Sequence, residues 1–168
     1  FQHGQRTNAP KQTSESPSGA VPLDIIKGHA YRTSWLGANK VEPIADRPFS
    51  HYYNYFTDKD PAKWKSGVKA WQMIEYPNLY YQINLQIYSD GSSMKSDYIV
   101  KSGGNPSQIK VIYEGVDKLY IQKDGSLYIQ TSVNHIEEFA PYAYQLIDGK
   151  KVQVNCTYTL KGHQLGFT

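Results

Sequence analysis

Nucleophilic, acid–base or metal chemistry in this chain of 168 residues would have to be built from five histidines, one cysteine and 15 carboxylates. The histidines, His3, His29, His51, His135 and His163, are scattered, and no two stand at the i, i+4 spacing of a metal-binding helix or the i, i+2 spacing of a metal-binding strand. No G-x-S-x-G turn exposes a nucleophilic serine. Thr57-Asp58-Lys59-Asp60 lacks the further oxygen ligands and distal glutamate of a calcium loop, so its aspartates read as turn and capping residues. Glu137 and Glu138 are adjacent, which on a strand sends them to opposite faces and rules out a dyad between them. Gly103-Gly104 has no strand-to-helix context for cradling a phosphate and reads as a backbone turn. These residues point to a chain that is not an enzyme, with no catalytic, cofactor or metal site. A hydrolase would require two carboxylates brought within about 5 to 10 Å by the fold.

Aromatic rings are the other candidate. Tyr52, Tyr53, Tyr55, Phe56, Trp64, Trp71, Tyr76, Tyr80 and Tyr81 fall within thirty residues. Core packing is the ordinary use of such rings, since each buries a large apolar area. The alternative is an exposed strip on which sugar rings stack, with Trp64 and Tyr80 as stacking residues and Lys63 and Lys65 as neighbouring donors. Lys59, Lys63, Lys65 and Lys69 flank Trp64, partly offset by Asp58 and Asp60. They read as a solvated surface, or else as a contact for phosphate or an acidic polymer, which would be strongly salt-dependent. The net charge of +3, from 18 basic and 15 acidic residues of interspersed sign, indicates no nucleic-acid partner.

The elements that must position these residues are strands. Tyrosine is abundant at 15 residues and charged residues make up only 20%, a profile that fits pleated, half-buried surfaces better than a helical bundle. From Ala30 onward the dominant period is two. Tyr31, Thr33 and Trp35 alternate with Arg32 and Ser34, and Tyr81, Ile83, Leu85 and Ile87 alternate with Gln82, Asn84 and Gln86. Three Asp-Gly pairs, Asp90-Gly91, Asp124-Gly125 and Asp148-Gly149, separate alternating runs and predict hairpins. The last hairpin is expected to return through Val152 to Leu160 as one run, with Cys156 a small buried hydrophobe; Asn155-Cys156-Thr157 within it is a weak glycosylation sequon. Asp60-Pro61 and Asn105-Pro106 predict one-turn helices over residues 61–65 and 106–109. The fold class is all-β: an antiparallel β-sandwich, rich in hairpins, with only one-turn helices. Residues 1–28 are polar and turn-rich and read as a linker or loop, leaving 29–168 as the sandwich domain. No run approaches the roughly 18 apolar residues that cross a bilayer, so no membrane insertion is expected. Residues 1–28 also lack the layout of a signal peptide, so the chain is expected to be a processed or excised piece.

Three blocks can be read together. The first holds Asn54-Tyr55-Phe56, Asp60, Trp64, Val68, Tyr76 and Asn78-Leu79-Tyr80. The second holds Ser96-Asp97-Tyr98-Ile99-Val100, Gly104-Asn105-Pro106-Ser107-Gln108-Ile109 and Tyr113-Glu114-Gly115-Val116-Asp117. The third is Pro141-Tyr142-Ala143-Tyr144-Gln145 with Asp148-Gly149. This succession, over residues 28–168, resembles the uncharacterised β-rich domain that stands N-terminal to β-propeller-type (SBBP) repeats in large secreted bacterial proteins, often with type IX secretion or gliding-motility sorting domains. Where that family continues Pro-Gly-Ile-Asp after Tyr80, this chain has Tyr81-Gln82-Ile83-Asn84, which alters any role of the acidic side chain. The resemblance implies a secreted or cell-surface bacterial module and 29–168 as part of a larger domain, whose open sheet edges would be met by other domains of the same polypeptide, a surface partner or a second copy. It implies no substrate. Asn54, Asp60, Asp97, Gly115, Tyr144 and Gln145, embedded in the blocks, are expected to cap, turn and hydrogen-bond rather than react. The expected function is a non-catalytic structural or adhesion module, with a carbohydrate-binding module using Trp and Tyr platforms as the alternative.

Overall fold

The computed structural model describes residues 2–6 (backbone), 25–89, 91 and 93–168. In chain order its strands are β1 (Gln2–Arg6), β2 (Ile26–Ala30), β3 (Arg32–Trp35), β4 (Ile44–Tyr55), β5 (Lys65–Tyr80), β6 (Ile83–Ser89), β7 (Met94–Val100) and β8 (Val111–Glu114). There follow β9 (Lys118–Ile121), β10 (Leu127–Gln130), β11 (His135–Glu138), β12 (Ala143–Ile147), β13 (Lys150–Val154), β14 (Tyr158–Lys161) and β15 (Gln164–Phe167). All described pairings are antiparallel, and the chain is all-β with a sandwich-like arrangement of several sheets. Of the polar stretch 1–28, residues 1 and 7–24 lie outside the described residues; the remainder is not loop, because residues 2–6 pair with 26–30.

The chain divides into two compact units, Phe1–Leu36 with Ile109–Thr168, and Gly37–Gln108. The first carries the sheets β14-β15-β8-β3 and β11-β10-β9 and the pairs β1-β2 and β12-β13. Period two works as expected here: Val111 and Tyr113 of β8 and Leu127 and Ile129 of β10 are buried, while the residues between them are not. With Ile109, Val116 and Leu165 they form the core of this unit. The hairpins take their shape from the Asp-Gly pairs. Asp148 (φ 51°) and Gly149 (φ 76°) supply the two consecutive positive φ values of a two-residue turn matched to strand twist. Asp124 accepts from the Ser126 amide at 3.0 Å and its hydroxyl at 2.7 Å, bonds that hold the aspartate carboxyl below its usual range. Asp90 lies outside the described residues, but β6 and β7 pair as predicted.

The run Val152 to Leu160 is not one strand. β13 stays with β12, β14 pairs with β15, and residues 155–157 cross between the two sheets. A chain changing sheets must break its ladder, so Cys156 is half-buried in the crossover rather than inward on a strand. Asn155 is exposed beside it.

The second unit is one meander, β4-β5-β6-β7. Its buried apolar residues, Met73, Leu79, Tyr80, Ile83 and Leu85, come only from the C-terminal half of β5 and from β6. Polar groups there are paired: Asn84 accepts from the Asn78 amide at 2.9 Å and donates to Glu75 at 2.8 Å, while Gln86 donates to Glu75 at 2.7 Å. An aspartate at position 84 would set two carboxylates against each other, so the amide suits Glu75. Both one-turn helices form, over Pro61–Lys63 and Pro106–Gln108, with Asp60 and Asn105 accepting from the amides of Ala62 and Ser107.

Gly104 marks a close approach of backbones. A Cβ there would lie 2.9 Å from the Gln82 carbonyl oxygen, 2.9 Å from a Val100 methyl and 3.1 Å from the Lys101 carbonyl oxygen. Gly104→Ala is expected to cost about 1–3 kcal/mol, the range for overpacking, as read by denaturant unfolding. An unchanged midpoint would show that this turn shifts freely.

Candidate functional site

β5 has 16 residues but β6 only 7, and the β5–β6 register runs no further back than Met73. β4 nevertheless continues along β5 to the Tyr55–Lys65 pair, so residues beyond that point form a two-stranded arm. Every residue of β4 is exposed. Along one face Phe49, His51, Tyr53 and Tyr55 touch in series, with centroids 4.9, 5.3 and 6.4 Å apart and interplanar angles of 33°, 88° and 34°. Cross-strand partners share a face, which puts Val68 beside Tyr53 and Lys65 beside Tyr55. Tyr52 and Lys69 pair on the opposite face, which Trp71 and Pro48 share.

Local devices hold this shape. Gly67 (φ 67°) lies within the register shift between Tyr53 and Tyr55, and its amide donates to Asn54 Oδ1 at 2.9 Å. At the tip Asp60 caps the one-turn helix, and Trp64 Nε1 donates to the Asp58 carbonyl at 2.8 Å while its ring meets Phe56 edge-on at 5.3 Å. Lys63 pairs with Asp58 at 3.3 Å.

Of the proposed stacking residues, Trp64 is 44% exposed and lies at the arm's tip between Lys63 and Lys65. Tyr80 is only 4% exposed and offers no ring face to a ligand. It ends β5 opposite Ile83 and belongs to the buried residues of this unit. Core packing likewise fails for most of the aromatic cluster, since Tyr52, Tyr53, Tyr55, Phe56, Trp64, Trp71 and Tyr81 are exposed. Phe49 and His51 were not singled out in the sequence, although their alternation with Tyr53 and Tyr55 is the signal that finds them. Elsewhere, Asp97 accepts from Tyr88 at 3.0 Å, and Gly115 (φ 83°) presents its carbonyl to His29 Nε2 at 2.6 Å. That bond leaves His29 Nδ1 to accept from the Ser132 hydroxyl at 2.9 Å and amide at 3.2 Å, clasping β2 to the β10–β11 turn. Tyr144 and Gln145 are exposed on β12; Lys151 sits 4.4 Å over the Tyr144 ring, and Gln145 faces Val152.

The other notable cluster is in the first unit. Tyr113 donates to Glu138 at 2.8 Å, and the Tyr31 and Tyr113 rings stack at 6.3 Å. Burial raises the Glu138 carboxyl above the usual carboxylate range, and the Tyr113 bond opposes the shift. Burial and then the Glu138 charge push Tyr31 up to about 12 and raise Tyr158 as well. Burial also raises the Cys156 thiol, away from nucleophilic reactivity. Glu137 turns the other way, accepting from Gln122 and Ser126, both at 2.9 Å. Among the described residues no group of three or more His, Cys, Asp or Glu side chains is placed to hold a metal ion, and no helix is long and apolar enough to cross a membrane.

An all-β domain with an aromatic arm is thus the class that fold and surface define. Over residues 1–168 the chain matches the family described as a domain of unknown function, DUF7948, and it belongs to that family. Comparison with curated proteins and with solved structures gives no significant match.

Two measurements follow. Because its carboxyl is raised on folding, Glu138 binds its proton more tightly in the folded state, so its own contribution to stability is fully present below the ordinary carboxylate range and is lost as pH climbs through that range to the raised value. Glu138→Gln is expected to remove this decline, so its melting temperature should gain on the wild type as pH rises; a pH-independent difference would sink the assignment. Iodide should quench Trp64 and Trp71, which are exposed, more strongly than half-buried Trp35. Trp64→Phe should lower the accessible fraction, and uniform protection of all three would contradict the exposed arm.

Proposed function

We propose that the domain is a non-catalytic structural or adhesion module of a secreted, surface-exposed multidomain bacterial protein, and that the β4–β5 arm is its contact surface. The observation that carries this reading is the arm itself, a two-stranded extension with exposed rings on both faces. Two strands alone are marginally stable in water, so an arm of this kind gains most from a partner laid against it. Exposed aromatic patches on soluble proteins mark interaction sites. The family context supports a surface location through its resemblance to domains preceding SBBP repeats. A carbohydrate-binding reading is favoured by the same exposed Tyr and Trp rings with lysines at hand, its site moved from Tyr80 to the Phe49–Tyr55 row.

Cells displaying the parent protein with Tyr53→Ser and Tyr55→Ser, two exposed rings of the row, are expected to lose most of their attachment, while the purified variant chain still unfolds cooperatively near the wild-type midpoint. Full attachment by such cells would remove the arm as the contact surface.

A further inference from the structure

We infer that the ligand of the arm is an acidic polysaccharide, a carboxylated or sulfated glycan lying along the Phe49–Tyr55 row. The inference rests on the reading of the arm as contact surface and adds the chemistry of what it holds.

Composition separates a glycan from a protein partner. Protein interfaces concentrate aromatic residues but are depleted of lysine, whereas this arm combines rings with Lys59, Lys65 and Lys69. Among the described residues only Lys63 of the arm's lysines is within ion-pair distance of a carboxylate, at 3.3 Å from Asp58. Of the others, Lys65 lies beside Tyr55 on the face of the row, Lys59 is in the tip and Lys69 is on the opposite face, so the charge offered to the row comes from Lys65. The exposed rings of the row carry polar atoms as well: His51 Nε2 and the Tyr53 hydroxyl are 3.2 Å apart, and Tyr55 adds a second hydroxyl. Ring faces for C–H surfaces, hydroxyls for hydroxyls and an ammonium beside Tyr55 suit a sugar acid. Seven residues of strand extend about 20 Å, long enough for several sugars of a polymer. The ring tilts of 33° to 88° form a ridged row rather than a flat platform, so a neutral crystalline polysaccharide surface is the poorer fit. A peptide adding as a further strand to β4 meets Pro48, which has no amide proton, and two shifts of register.

The test is binding of the full chain to alginate, a soluble polyuronate, across a salt series, with amylose and double-stranded DNA in parallel. Expected are saturable binding to alginate that weakens steeply with salt, and little binding to amylose. Tyr53→Ser, and separately Lys65→Gln, should each weaken it about tenfold, comparable to one lost stacked ring. Lys161→Gln, an exposed lysine in the other unit, should leave it unchanged. Circular dichroism and the unfolding midpoint report whether each variant is folded, and the salt series on the wild type stands independently of them. Equal binding to DNA, binding to amylose that ignores salt, or no binding by a folded wild type would each overturn the acidic-glycan assignment. The arm as contact surface is judged separately by the attachment of displaying cells, so loss of attachment without alginate binding would point to a protein partner.

Discussion

The second unit is governed by a mismatch of strand lengths. β5 pairs with β6 only from Met73 onward, yet it pairs with β4 from Lys65. On β5, Met73 to Glu75 have neighbours on both sides and Tyr76 and Tyr80 pair with β6, and among the described residues the buried apolar side chains of that unit lie between Met73 and Tyr80 and on β6. Everything in the other half has one neighbour and two open faces. The same strand therefore anchors a core at one end and at the other pairs with the ring-bearing part of β4, through a ladder broken by two shifts of register.

Burial in the first unit is more even, and it includes ionisable groups. Val111, Tyr113, Leu127 and Ile129 turn inward by simple alternation, and alternation from β11 brings Glu138 to the Tyr113 hydroxyl. One hydrogen bond compensates part of the desolvation of a carboxylate but not all of it, so the carboxyl stays raised. Removal of the hydroxyl partner would leave a buried group with less compensation, which costs more than the bond itself contributes. Burial first, and the same charge second, make Tyr31 and Tyr158 hold their own protons more firmly. The cluster thus holds its protons more firmly than the same groups would in water.

Local chemistry was legible in the sequence wherever a residue type dictates its own geometry. Asp148-Gly149 takes two positive φ values and Asp60-Pro61 caps and starts a turn, whereas on β6 the predicted alternation fails, since Asn84 is buried along with Ile83 and Leu85 and Tyr81 is exposed. What was not legible depends on how long each strand's partner is. Nothing around Tyr80 distinguishes it from Tyr81, yet one is 4% exposed and the other 70%, because β6 reaches the first and the turn carries the second outward. The aromatic cluster looked like core because core is the commonest place for rings, and only the end of β6 decides otherwise. Alternation through Val152 to Leu160 misled in a similar way, since period two continues across residues 155–157 while the chain changes sheets. Gln82 stands at φ 59°, at the position where the resembling pattern has glycine, and its neighbours' bonds keep the turn despite the side chain.

The edge of β4 shows which part of the arm is available. An unpaired edge strand of twelve residues would ordinarily template another strand, and proteins blunt such edges with proline, bulges and charge. β4 has all three: Arg47 at φ 53° next to Pro48, shifts of register on either side of Tyr52 and Tyr53, and Asp46 beside Arg47 at 3.8 Å. A strand that bends and slips in this way presents no regular row of amides and carbonyls to a partner. Its side chains remain regular enough for Phe49, His51, Tyr53 and Tyr55 to touch in sequence. Recognition by this arm therefore runs through side-chain faces and not through the backbone, which favours a ligand read by its surface chemistry over one that completes the sheet.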